Sequence, residues 1–236
     1  LFPSGINANK SWAAGQFDVL SRPIKSPHKK GWAEEHVTTM PNYGFVDITD
    51  RKRGLAILNE GLTAYQVEDD KERTIALTSV RAFENVCGVP SRESPGAQCL
   101  RPYECRYAIY PHTGDYRRGN VYQELQRFGL ALEAAQCGRR GGPLGDEIGF
   151  FELGPDCLIL SGLKRSENGK SIILRFFNPT NAKIPAAVRC FRPVKKAWLT
   201  NLNEERQREL TWKNQRCLSL DVAPKKIITL EIMLNK

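Results

Sequence analysis

The stretch from residue 43 to residue 83 constrains the fold most, because it predicts four β-strands in succession. Short runs of β-branched and aromatic residues are separated there by Asp, Asn and Gly, the pattern of strands joined by tight turns. The four runs begin at Phe45, Gly54, Leu62 and Ile75. We therefore expect an antiparallel meander here and a mainly β architecture around it.

The rest of the chain predicts more strands and one short helix. A strand is expected at residues 103–110, and a helix at 121–135, where apolar residues recur at helical spacing. Six or seven short strands after residue 149 are typical of a small β-sandwich. We place a domain boundary near Pro155, which divides the chain into 1–155 and 156–236. The apolar stripe of the helix consists of Val121, Leu125, Phe128 and Leu132.

The charge is strongly basic, with 35 Lys and Arg against 26 Asp and Glu and a formal net charge of +9. No basic run reaches the length of a nucleic-acid patch, so we predict solvated turns and no nucleic-acid partner. No apolar run approaches the roughly 18 residues of a membrane helix, so no membrane partner is predicted. The basic clusters are Lys29-Lys30, Arg51-Lys52-Arg53, Arg117-Arg118, Arg139-Arg140, Lys195-Lys196 and Lys225-Lys226.

The seven cysteines indicate a reducing, cytoplasmic protein. Their odd number and the lack of a C-x-x-C pair argue against a disulfide framework and a thiolate zinc site. Leu1 opens the chain without a signal pattern, which suggests a piece of a longer polypeptide. Four cysteines lie in apolar runs and are expected to be buried. They are Cys105, Cys157, Cys190 and Cys217.

Catalytic and metal-binding motifs are not found. The three histidines, His28, His36 and His112, do not form a zinc motif, and no nucleophile signature is present. Asp47, Asp50 and Asp115 are the carboxylates to consider for a glycosidase pair. Asp50 is better explained as a turn residue and Asp47 as the outward side of a strand. We therefore predict no catalytic and no metal-binding residue in this chain.

The segment YPHTGDY, residues 110–116, holds the candidate binding residues. It combines an imidazole, a carboxylate and two aromatic rings in a turn, groups that hydrogen-bond to and stack on sugars. We predict that Tyr110, His112 and Asp115 contact carbohydrate. The alternative is a structural turn in which the Asp or His side chain caps the backbone.

Seven segments together resemble the C-terminal portion of glycoside hydrolase family 38 α-mannosidases of the bacterial type. They follow in order over nearly the whole chain and have no compositional bias. The segments are LFPSGI (1–6), QFDVLSRPI (16–24), EEHVTTMPNYGFVDITDRKRGLAILNEGLTAYQV (34–67), IALTSVRA (75–82), SPGAQC (94–99), YAIYPHTGDY (107–116) and the tail 163–234.

The resemblance implies that residues 1–155 are the later part of a large antiparallel supersandwich, of the galactose-mutarotase-like type, and that 156–236 are a small terminal β-sandwich. In the family, a catalytic barrel hydrolyses α-mannosides with retention, using an aspartate nucleophile, an acid/base carboxylate and a zinc ion held by His and Asp. No catalytic residue can be transferred, because the H-x-D metal motif is missing here. The implied partners are the barrel of the same polypeptide and mannose-containing glycans.

Two functions from different classes follow. The first is a non-catalytic β region that supports, and lines in part, the sugar site of an α-mannosidase, with no cofactor of its own and inactive alone. The alternative is a stand-alone carbohydrate-binding module, and a basic interaction module is a weaker third. The natural mannoside and the oligomeric state, a homo-oligomer included, stay open.

Overall fold

The computed structural model describes residues 1–25, 27, 31–33, 36–138, 141–142 and 144–235. Two compact units are present: unit 1 contains Leu1–Gln16 and Leu20–Ala131, and unit 2 contains Phe17–Val19 and Leu132–Lys236. The division of the chain at residue 155 into two domains stays a prediction. Five residues named above lie outside the described residues: His28, Lys29, Lys30, Arg139 and Arg140.

Short strands dominate the first part of the chain. A five-stranded sheet has the order β2-β1-β4-β5-β8, and a three-stranded sheet the order β3-β6-β7. The pairings β1–β4, β4–β5, β5–β8, β3–β6 and β6–β7 are antiparallel. The elements are β1 (Lys10–Gly15), β2 (Asp18–Pro23), β3 (Met40–Pro41), β4 (Phe45–Thr49), β5 (Arg53–Glu60), β6 (Ala64–Val67), β7 (Ile75–Leu77), β8 (Arg106–Thr113), the 3-10 helices Val86–Gly88 and Pro95–Gln98, and α1 (Val121–Gly129).

The predicted four-stranded meander is wrong, although all four strands exist. β4 pairs with β5 in one sheet, whereas β6 pairs with β7 in the other. Gly61 has φ +79°, and the Asn59 side chain accepts a hydrogen bond from the backbone of Leu62, so the chain leaves the first sheet here. Tyr65 then packs in the same buried cluster as Ile57 instead of extending the first sheet.

The helix is shorter than predicted. It ends at Gly129, a residue of low helix propensity, and Leu130 has an extended backbone whose N–H is bonded to the carbonyl of Gln126. Val121 is completely buried, but Leu132 is fully exposed beyond the helix end. The last position of the apolar stripe therefore does not pack as a helical residue.

Strand β8 lies three residues further along the chain than predicted. Tyr107 and Ile109 are exposed on one face, while Tyr110 and His112 lie on the more buried face. This face is the side of the sheet on which the following turn and α1 lie, with Tyr116 and Tyr122 against Phe45.

Unit 2 contains a sandwich of two antiparallel sheets. Their orders are β10-β11-β16-β13-β14 and β15-β12-β9, and their buried apolar side chains, Phe176 and Leu230 among them, form one core. The sequence does not predict β14, because this strand is polar and mostly exposed and has no apolar run. The strands are β9 (Phe151–Gly154), β10 (Ile159–Arg165), β11 (Ile172–Phe177), β12 (Ile184–Cys190), β13 (Val194–Thr200), β14 (Arg206–Leu210), β15 (Cys217–Val222) and β16 (Ile227–Leu234).

The predicted fold class is confirmed: the described residues are mainly β, with antiparallel sheets, a terminal β-sandwich and one short α-helix. All seven cysteines are free. Of the four cysteines expected to be buried, only Cys190 is; Cys217 is exposed. Within the described residues, no helix combines the length and hydrophobicity needed to span a membrane.

Candidate functional site

The segment 110–116 runs from the end of β8 into a tight turn that leads to α1. Gly114 has φ +75°, a conformation that favours glycine, and its N–H donates to the carbonyl of Lys52. Thr49 Oγ1 donates to the Gly114 carbonyl at 2.7 Å. These two bonds fix the turn to the hairpin between β4 and β5.

A buried histidine–carboxylate pair lies beneath this turn. His112 Nε2 and Asp47 Oδ1 are 2.7 Å apart, and their side chains are 2% and 0% exposed. The imidazole occupies the space above Gly54, its cross-strand neighbour, and beside Gly119. A Cβ at either glycine would lie 2.2 Å or 2.5 Å from a ring atom. Both glycines are therefore needed to admit His112.

The prediction that Asp47 points outward to solvent is wrong. Alternation correctly places Asp47 on the face opposite Val46 and Ile48, but the turn and α1 cover that face too. Asp47 Oδ2 has no hydrogen-bond partner among the described residues. An incompletely satisfied carboxylate at this depth depends on its one partner, His112.

The pKa values of this pair are shifted in the same direction. Burial raises the pKa of Asp47, against the lowering effect of the hydrogen bond from His112. Burial alone would lower the pKa of His112, but the hydrogen bond to Asp47 and its negative charge outweigh it, so the pKa is raised. Both shifts favour the state in which the pair holds one proton between carboxylate and imidazole.

An NMR titration of the imidazole protons tests this arrangement. In the unaltered protein we expect a His112 midpoint above the ordinary value of 6.5. In Asp47→Asn it should fall below 6.5, because burial then acts without the carboxylate. Since the folded-state pKa is raised, the stability that the pair contributes is complete below about pH 6.5 and is lost as pH rises through that midpoint. Equal midpoints in both proteins would contradict the assigned pair.

Tyr110 also faces inward, whereas Asp115 organises the turn. The Tyr110 hydroxyl donates to the carbonyl of Gly119 at 3.0 Å, and its ring stacks on that of His112. Asp115 Oδ1 accepts the backbone N–H groups of Arg117 and Arg118 at 3.1 and 3.0 Å. The capping function considered as the alternative from the sequence is thus present at Asp115.

A cavity of about 790 Å³ lies beside the turn and is lined by residues of three segments, 7–12, 49–51 and 114–118. The antiparallel register brings the start of β1 and the ends of β4 and β8 to the same end of the sheet. Of the three predicted site residues, Asp115 lines this cavity, whereas Tyr110 and His112 do not. Trp12 contributes an aromatic wall and packs on Tyr116, with ring centroids 5.2 Å apart.

The two carboxylates of the cavity do not have the properties of a general acid. Asp50 accepts the backbone N–H groups of Arg53 and Lys52, which lower its pKa. Partial burial would raise the pKa of Asp115, but the N–H of Arg118 and the guanidinium of Arg117 lower it. A general acid needs a raised pKa, so these groups fit structural functions.

Several cations that line the cavity are not paired with a carboxylate. Arg117 forms an ion pair with Asp115 at 3.0 Å, and Asp50 pairs with Arg53, which does not line the cavity. In the part of the chain that the structure describes, Lys10, Arg51 and Arg118 have no carboxylate partner. The sequence does not indicate these three residues and Trp12 as a site, because only the pairing of distant strands brings them together.

The described residues do not offer a site for the zinc ion that the family resemblance implies for the barrel. They contain no group of three His, Cys, Asp or Glu side chains that could hold a metal. His112 already uses Nε2 for Asp47 and is enclosed by two glycines.

The terminal sandwich matches a protein-family model. Residues 158–230 match "Glycosyl hydrolases family 38 C-terminal beta sandwich domain". The resemblance to the C-terminal β region of family 38 α-mannosidases, predicted from the sequence, is thereby confirmed.

Particular relatives extend the similarity to the whole chain. A putative mannosylglycerate hydrolase of Halalkalibacterium halodurans is 26% identical over 234 residues, which are 98% of this chain and 25% of the relative. An α-mannosidase from Enterococcus faecalis V583 has a similar fold, with TM-score 0.78 and 24% identity over 98% of this chain and 25% of its own. A second family 38 structure from Enterococcus faecalis gives 0.74 and 23%, over 97% and 25%. This chain thus spans about a quarter of the length of these relatives.

Proposed function

We propose that this chain is the non-catalytic C-terminal β region of an α-mannosidase and that the longer polypeptide supplies the catalytic barrel. The observation that carries the proposal is the similarity over 98% of this chain to only 25% of a relative named putative mannosylglycerate hydrolase. In this proposal the barrel holds the zinc ion, the nucleophile and the acid/base carboxylate, and it hydrolyses α-mannosides with retention. Hydrogen bonds and positive charges within the chain lower the pKa of Asp50 and of Asp115. These two carboxylates therefore favour a structural rather than a catalytic function for this chain.

The cavity beside the turn is the proposed contribution of this chain to the rim of the sugar site. Trp12 offers a ring on which a sugar can stack, and Asp115 lines the same cavity. Tyr110 and His112, predicted to contact carbohydrate, do not line the cavity and have a supporting function in this proposal. They hold the turn against the sheet through Gly119 and Asp47. Mannose-containing glycans are the proposed ligands.

The proposed partner of this chain is therefore the barrel of the same polypeptide, in a cytoplasmic enzyme that works without nucleic acid or membrane. Homo-oligomers are compatible with this proposal. The seven free cysteines support a reducing compartment. Arg53, Arg117 and Lys196 form ion pairs with carboxylates of this chain. Basic residues that are already paired support the proposal that the protein has no nucleic-acid partner.

Hydrolysis of an aryl α-mannoside by the purified 236-residue chain tests the proposal. We expect no turnover with or without added zinc, because the catalytic barrel is a separate part of the polypeptide. The longer protein, assayed under the same conditions, is the positive control. Zinc-dependent hydrolysis by this chain alone would contradict the proposal.

A second candidate is a stand-alone carbohydrate-binding module. The observation in its favour is that residues of this chain alone line a cavity with an aromatic wall. Two results together would favour this candidate over the α-mannosidase region. The chain would bind manno-oligosaccharides, and the longer protein would not hydrolyse α-mannosides.

A further inference from the structure

We propose that the terminal β-sandwich binds a medium-chain fatty acid in an apolar cavity between its two sheets, and that Arg165 and Arg192 bind the carboxylate of this ligand. The residues that line the cavity all belong to unit 2. The site shares no lining residue with the cavity beside the turn and is independent of the proposed α-mannosidase function.

The cavity lies where the two sheets of the sandwich do not match in size. One sheet has five strands and the other has three, and β10 and β9 are edge strands of these two sheets. β10 has seven residues, whereas β9 has four. Leu163 of β10 pairs with the core residue Leu174, yet its side chain is 50% exposed. The larger sheet therefore presents apolar side chains that the smaller sheet does not cover.

The walls of this cavity, whose volume is about 250 Å³, consist largely of apolar side chains. Phe150 is 61% exposed, and its ring packs edge-to-face on the ring of Phe191 at 6.0 Å. The N–H of Phe191 also donates to the carbonyl of Phe150 at 3.0 Å, so both rings are held in place. Covering such a surface with an apolar ligand is favourable, because it removes apolar area from water. The apolar side chains are Phe150, Phe151, Leu163, Ile172, Phe191 and Leu234.

The charged side chains that line the cavity are all cations: Lys164, Arg165 and Arg192. The charge of Lys164 is already compensated, because it forms an ion pair with Glu204 at 2.8 Å. Arg165 and Arg192 have no carboxylate partner among the described residues. Arg165 Nη2 donates to the carbonyl of Gly169 at 2.9 Å, which holds this guanidinium at the end of the β10–β11 hairpin. Two unpaired guanidinium groups beside an apolar wall favour a ligand that carries one carboxylate.

A sugar does not match this lining, whereas a short apolar chain does. None of the described residues that line the cavity has a hydroxyl or carboxamide side chain, or a carboxylate, to bind sugar hydroxyls. The volume corresponds to roughly eight groups of the size of a water molecule or a methylene, at about 30 Å³ each. Octanoate, a chain of eight carbon atoms that ends in a carboxylate, therefore agrees with both the volume and the charge.

Calorimetric titration of the 236-residue chain with octanoate, butyrate, acetate and 1-octanol tests the site. Every two methylenes added between butyrate and octanoate should tighten binding by roughly tenfold, because each one buries more apolar surface. Acetate, which has the charge without the chain, should show no binding. 1-Octanol, which has the chain without the charge, should bind about tenfold more weakly than octanoate.

Substitutions separate the charges from the apolar wall. Arg165→Gln and Arg192→Gln should each weaken octanoate by about tenfold and leave 1-octanol unchanged. Lys195→Gln is the matched control, because Lys195 is an exposed cation of the same sandwich that does not line the cavity. Phe150→Ala should weaken both ligands by about tenfold. Leu202→Ala should weaken neither, since Leu202 is exposed but lies outside the lining. Circular dichroism of each variant checks that the fold is retained.

Three results would overturn the inference: no binding of octanoate, equal affinity for octanoate and 1-octanol, or equal effects of Lys195→Gln and Arg192→Gln on octanoate. The same titration of the longer protein distinguishes a ligand site from a surface covered by other parts of the polypeptide. We expect the longer protein to bind octanoate with the affinity of the chain. Binding by the chain alone would show that a segment of the longer polypeptide fills the cavity, and it would also overturn the inference.

Discussion

His112→Ala is expected to lower the free energy of unfolding of unit 1 by about 3–5 kcal/mol, the usual loss when one partner of a buried charged pair is removed. The variant leaves the completely buried Asp47 without the one side-chain partner that it has among the described residues. It also leaves an empty space between Gly54 and Gly119. Urea-induced unfolding of both proteins at pH 6 measures the difference.

Arg106→Ala is the matched control, because Arg106 forms an exposed ion pair with Glu60 across the same two strands, β8 and β5. Exposed pairs contribute only about 0–1 kcal/mol. If His112→Ala changed stability no more than this control, the buried pair would not hold the turn, and the proposed structural function of His112 would be wrong.

Gly54→Ala is expected to lower the free energy of unfolding by about 1–3 kcal/mol, as overpacking of a buried site does. The new Cβ would lie 2.2 Å from Cε1 of His112. The ring cannot turn away easily, because Asp47 binds its Nε2 and Gly119 lies against its other side. Urea-induced unfolding again provides the measurement.

Two further variants show whether the imidazole causes this loss. Gly129→Ala is the control glycine, since the nearest atom to its Cβ is 3.9 Å away, and we expect little change. The double variant Gly54→Ala/His112→Ala should lose less stability than the sum of its single variants, because the clash disappears with the ring. Strictly additive losses would show that Gly54 is required for another reason.

Local sequence patterns predict the elements of this fold better than their pairing. The strands from Phe45 and Gly54 follow from alternation and turn residues, and they form the predicted hairpin. The meander fails at Asn59 and Gly61 because the choice between two sheets depends on the burial of Tyr65, a contact between distant segments. The low helix propensity of Gly129 indicates a helix end at this residue. The apolar stripe continues to Leu132, however, and this pattern led to the prediction of a longer helix.

The candidate site is predicted in part, for the same reason. The mixed residues of YPHTGDY indicate a special turn, and Asp115 does line the cavity. The partner of His112 is Asp47, 65 positions away, and the sequence cannot show that both faces of β4 are covered. Trp12 and Arg51 reach the cavity only through the register of β1, β4 and β5. Charge composition therefore predicts a basic protein, but not where its unpaired cations meet.

In the proposed function, this chain forms a β region, and the catalytic groups lie elsewhere in a longer α-mannosidase. The most direct test is the rate of aryl α-mannoside hydrolysis with added zinc, measured side by side for this chain and for the longer protein. We expect hydrolysis by the longer protein and none above background by the chain. Hydrolysis by the chain itself, abolished by a zinc chelator, would contradict it.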